Sequence, residues 1–112
     1  MAKKLPFEDF EIEWRGDTYT LPAEVALRTI SQIEEVLTLP ELAESVKRNA
    51  LPIARMSMAF GTLLRATGCT DSDERVYQVI ISGGLLVDIA ITLMKFMSPP
   101  AMRPPVADGA EA

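Results

Sequence analysis

The sequence predicts a mainly α-helical protein: a short N-terminal β-hairpin, then a bundle of three to four helices, then a disordered C-terminal tail. Three observations carry this. Phe10, Ile12 and Trp14 alternate with polar residues ahead of a turn-forming Arg15-Gly16-Asp17, which is the period of a strand. From Pro22 to Met97 apolar residues recur at three- and four-residue steps, the period of a helix. Beyond Ser98 the chain turns to Pro99, Pro100, Pro104, Pro105 and Gly109 with few apolar anchors.

The elements follow in order. Residues 1–9, with Lys3, Lys4 and Pro6 ahead of any periodic pattern, are expected to form a flexible arm. Residues 10–97 form a single domain. Its hairpin, 10–21, closes with Thr18-Tyr19-Thr20-Leu21, which is rich in β-formers. A helix opens near Pro22, because the first helical N–H has no partner to lose, and Glu24 suits the positive end of its dipole. Ala26, Leu27, Ile30, Ile33 and Leu37 make its buried stripe. Pro40 opens a shorter helix through Leu42 and Val46, and Pro52 marks a kink or a restart. The next helix runs to about Ala66 on the stripe Ile53, Met56, Phe60, Leu63 and Leu64, and Gly68 is placed to close it in a left-handed cap. Thr70 or Ser72 caps the last helix, whose positive end attracts Asp71, Asp73 and Glu74. From Val76 to Met97 apolar residues run almost all the way round, leaving a thin polar edge of Gly84, Asp88, Thr92 and Lys95. Residues 98–112 form the proline-rich tail.

Composition narrows the function. With 48% hydrophobic and 24% charged residues the chain is too apolar to be disordered throughout. A net charge of −5 disfavours nucleic acid and anionic lipid. The single Cys69 excludes an internal disulfide, and nothing at the N-terminus resembles a signal peptide, so a reducing cytoplasm is expected.

The absence of histidine removes the usual catalytic triads and histidine-bearing metal sites. Cys69 lacks an activating base and is expected to be a stray thiol in an interhelix loop. The Asp71, Asp73 and Glu74 group lacks the spacing and glycine of a calcium loop and fits helix capping. Ser82-Gly83-Gly84 follows a helix and lacks the lysine of a phosphate loop, so it fits a close helix contact or a break. Arg15-Gly16-Asp17 matches a tripeptide that cell-surface receptors read, but serves here as a hairpin turn. No enzyme, cofactor or metal site is expected.

Charge is laid out in blocks. Lys47, Arg48, Arg55 and Arg65 lie in a stretch without acidic residues, while Glu24, Glu34, Glu35, Glu41 and Glu44 precede it, which favours pairing between adjacent helices. The apolar last helix is long enough to span a membrane, but Asp88 near its centre costs about 2.5–3.5 kcal/mol there, so a membrane role is disfavoured. Contact with a partner is the better expectation, because a hairpin and three short helices leave Tyr77, Leu86, Ile89, Leu93, Met94, Phe96 and Met97 partly uncovered. Met56, Met58, Met94 and Met97 suit an adaptable surface.

The hairpin ending in Thr18-Tyr19-Thr20-Leu21-Pro22, the helix with Ala26-Leu27 and Ile33-Glu34-Glu35, and the Ser72-Asp73-Glu74 start of the last helix resemble the tail assembly chaperones of long-tailed bacteriophages, prophages and gene transfer agents. The resemblance spans about residues 10–97. It implies a protein of the bacterial host cytoplasm, absent from the mature virion, that binds and solubilises the helical tape measure protein during tail assembly. It also implies self-association into a homo-oligomer, and a longer frameshifted form, for which the tail from Ser98 is a suitable point of extension. The expected client-binding residues are Met56, Phe60, Leu86, Ile89, Leu93, Met94, Phe96 and Met97. The alternatives are a small membrane-associated protein and a non-phage bacterial adaptor or complex subunit.

Overall fold

In the computed structural model, which describes residues 8–98, β1 (Phe10–Trp14) and β2 (Asp17–Leu21) pair antiparallel, with Trp14 opposite Asp17. The turn between them is two residues long, Arg15 and Gly16, both at positive φ (53° and 87°). That is the handedness that matches the strand twist, and glycine takes it at no steric cost. Ile12, Trp14 and Leu21 face inward and are buried. Expectations about residues 1–7 and 99–112 lie outside the described residues; of the expected arm, Asp9 is held, its carboxylate accepting the Ala23 N–H at 2.8 Å.

Five α-helices follow: α1 (Ala26–Glu34), α2 (Leu39–Lys47), α3 (Ile53–Ala66), α4 (Asp73–Gly83) and α5 (Leu86–Met97). Pro22 leads into a single 3-10 turn, Ala23–Val25, before α1 begins. Thr38 caps α2 with a reciprocal box: its hydroxyl accepts from Glu41 N–H while Glu41 accepts from the Thr38 N–H, and Pro40 fits the first turn. Pro52 is the cap residue of α3, so it restarts a helix. Ser72 caps α4 by accepting the Arg75 N–H at 3.1 Å.

The class is the expected one, but the expected continuous helix from Val76 to Met97 is two helices. Gly84 takes φ 65° and ψ 35°, and the Leu85 and Gly84 N–H groups donate back to Ile80 and Ile81. These are the two bonds of a Schellman ending, which only a residue free to adopt left-handed geometry completes without strain. The same arrangement ends α3 at Gly68, as expected, and α2 at Asn49.

α3 is central and packs against α1, α4 and α5, while α2 also packs on α5. Met56, Ala59, Phe60, Leu63 and Leu64 of α3 meet Ile30 and Ile33 of α1, Val76 and Ile80 of α4, and Ile89, Leu93 and Phe96 of α5 in one core. Two aromatic contacts seat the hairpin on the helices: Trp14 against Phe60 at 5.3 Å and Phe10 against Phe96 at 5.1 Å between ring centres. The two charge blocks meet in one pair, Arg55 with Glu41 at 2.8 Å, whereas Arg65 pairs outside them with Asp73 of α4, also at 2.8 Å.

Candidate interaction surface

The break at Gly84 decides which apolar residues reach the surface. Once α5 is free of α4, its stripe Ile89, Leu93 and Phe96 turns onto the core. Six of the eight expected client-binding residues, Met56, Phe60, Ile89, Leu93, Phe96 and Met97, are therefore buried, and Leu86 and Met94 are half-buried against the core. An open face built from those eight residues is not present in the folded chain.

The exposed large apolar residues are others. Tyr77 (43%) and Ile81 (50%) stand one turn apart on α4, and Val87 (61%) and Ile91 (47%) stand one turn apart on α5. Met58 on α3, Leu27 on α1 and Val46 on α2 complete the set among the described residues. Tyr77 was expected to be uncovered and is. Ile81, Val87 and Ile91 were not among the residues expected to be uncovered, because a run that is apolar almost all the way round gives no phase that tells core from surface.

Met58 and Tyr77 share a groove. It has a volume of about 420 Å³ and lies between α3 and α4, with Ala54 and Ser57 on one wall and Gln78 on the other. Its small residues follow from the helix spacing: Ala54 and Ser57 keep the α3 side low, and Ser57 satisfies its hydroxyl by donating to Ile53 O at 2.9 Å. The Asp73 and Glu74 carboxylates border one end. Asp73 is held by Arg65, and Gly61 leaves room for it, since a Cβ there would collide with Asp73 Oδ1. Glu74 stands exposed in the first turn of α4.

The polar groups near this surface are structural. Asp71 accepts from Trp14 Nε1 at 2.9 Å and from Arg15 at 3.3 Å, and the indole bond is the main reason its carboxyl stays below the ordinary range. Cys69 is buried beside Tyr19, and its hydrogen bond with the phenol is the main cause of the raised phenol pKa. Among the described residues no group of carboxylates and thiol is arranged to hold a metal ion. The surface thus offers an adaptable thioether, an aromatic ring with a polar tip and a low wall, a combination that suits contact with an apolar helix.

Comparison with protein-family models, with curated proteins and with solved structures finds no match.

Proposed function

We propose that this chain is a phage or prophage tail assembly chaperone that binds the helical tape measure protein and keeps it soluble while the tail is built. The observation that supports this reading is the apolar groove between α3 and α4, with Met58 and Tyr77 exposed in it and Ile81 one turn further along α4. An amphipathic client helix lays its i, i+3 or i+4 and i+7 anchors along such a groove. Met58 adjusts to anchors of different shape through its three rotatable bonds, and Tyr77 covers apolar surface while its hydroxyl stays in water. A chaperone of a long repetitive client gains from that tolerance. The protein works in the host cytoplasm, self-associates, and leaves before the virion is complete.

A membrane-associated role has less support. α4 and α5 contain 11 and 12 residues, about 16 and 18 Å of helix, against about 30 Å of bilayer hydrocarbon. Among the described residues no helix is long and apolar enough to cross a membrane.

Co-expression with a tape measure protein tests the proposal. A soluble complex that co-purifies at low salt, and that Tyr77→Lys abolishes, is the expected result. Failure to co-purify overturns it, and stable capture of a host complex subunit in place of the tape measure protein favours the bacterial adaptor.

A further inference from the structure

A second cleft, of about 400 Å³, runs between β1 and α5 and is separate from the α3–α4 groove. One wall is the unbroken run Glu11 to Gly16; the other includes Asp88, Ile89 and Thr92, with Phe60 also lining the cleft. Successive strand residues point to opposite faces, so a cleft lying on one face of a sheet is lined by every second residue. Lining by every residue from 11 to 16 is what a strand edge gives.

The register says which backbone groups lie along that edge. Trp14 and Asp17 close a two-residue turn and so form a hydrogen-bonded pair, and the antiparallel alternation makes Ile12–Tyr19 and Phe10–Leu21 the next such pairs. Glu11 and Glu13 sit at the intervening positions, with their N–H and C=O groups turned away from β2. Among the described residues the sheet has only these two strands, so nothing in it pairs with that edge.

Charge selects the occupant. Glu11, Glu13 and Asp88 line the cleft, and among the described residues its one lining cation, Arg15, is engaged by Asp71 at 3.3 Å. A second β1 laid against this edge would oppose glutamate to glutamate, which disfavours a second copy. The inward residues Ile12, Trp14 and Ile89 are apolar. A strand with lysine or arginine on one face and apolar side chains on the other satisfies both. We propose that the cleft binds an extended peptide segment in which basic and apolar residues alternate, added as a third strand on the free edge of β1.

The test uses the full chain and a short peptide of alternating lysine and valine. Binding is read from the fluorescence of Trp14, the single tryptophan, and from amide exchange of Glu11 and Glu13. Both amides should become slow on binding, and affinity should fall as salt is added. Glu13→Pro deletes an outward N–H without removing a bond to β2. It should weaken binding about tenfold more than Glu13→Gln, which removes the charge alone. The double variant Glu11→Lys with Glu13→Lys should reverse the preference toward a glutamate–valine peptide. The proposal is overturned if the glutamate–valine peptide binds the native chain as well, or if Glu13→Pro behaves as Glu13→Gln while the Ile12 and Trp14 amides stay protected. Slow exchange of Glu11 and Glu13 in the peptide-free chain also overturns it, since the edge would then already be paired. Tyr77→Lys should leave peptide binding unchanged, which separates this site from the client groove.

Discussion

The indole Nε1 of Trp14 donates to Asp71 Oδ2 at 2.9 Å, tying the end of β1 to the residue before the cap of α4. Trp14 is only 3% exposed, so its N–H has little access to water if Asp71 is lost. Asp71→Ala is expected to destabilise the fold by about 1–3 kcal/mol in urea denaturation, and Asp71→Asn, which keeps an acceptor, by less.

The same carboxylate sets an acid limit. Its folded pKa lies below the ordinary value, chiefly through the Trp14 bond, so its stabilising contribution is complete above the unfolded value of about 3.9 and is lost as pH falls through the folded one. Glu41, lowered mainly by the Thr38 backbone N–H, acts in the same direction. Stability should decline below about pH 4, and Asp71→Asn should flatten that limb of the curve in a pH series of denaturation midpoints.

Gly61 gives a test of close approach. In a helix interior, glycine to alanine ordinarily stabilises by about 0.5–1 kcal/mol. At this position the new Cβ meets Asp73 Oδ1 and displaces it from Arg65. Gly61→Ala is expected to destabilise by about 1 kcal/mol. In an Asp73→Ala background the same substitution should stabilise, and a double-mutant cycle by chemical denaturation reads that change of sign.

Gly84 holds the two-helix form. Alanine in its left-handed conformation costs about 1–2 kcal/mol, so Gly84→Ala should lower the unfolding free energy by that amount, read by urea denaturation. Gly83→Ala lacks the positive φ and should cost less, although its Cβ would lie 3.2 Å from the Leu85 side chain.

Core and surface apolar residues should separate cleanly. Phe60→Ala is expected to cost about 3–5 kcal/mol of stability, as a deleted core ring does. Met58→Glu and Tyr77→Lys should change stability by no more than about 0.5 kcal/mol while abolishing capture of the helical client. Thermal denaturation beside co-purification distinguishes the two kinds of residue.

Local patterns made much of this fold legible. The alternation Phe10, Ile12, Trp14 and the Arg15-Gly16 turn yield the hairpin, and Gly68 and Ser72 mark the helix ends they were expected to mark. The exposed apolar surface was less legible for a local reason, and one tie between hairpin and helices for a long-range one. Gly83-Gly84 was readable as a break, yet the apolar count ran through it, and a run apolar almost all the way round did not tell the core residues Leu93 and Phe96 from the exposed Val87 and Ile91. Asp71 looked like one more acidic residue at a helix start, because nothing near it in sequence announces an indole 57 positions away.

The Phe10–Phe96 contact brings the first strand against the last turn of the last helix. Topologically the domain is nearly a closed ring, with its two ends in one place. During synthesis the last contact cannot form until almost the whole domain has been made, so the hairpin waits on α5 for part of its cover. The closeness of Phe10 and Phe96 also makes the described domain a candidate for circular permutation, with new termini opened in an exposed turn such as Arg48-Asn49.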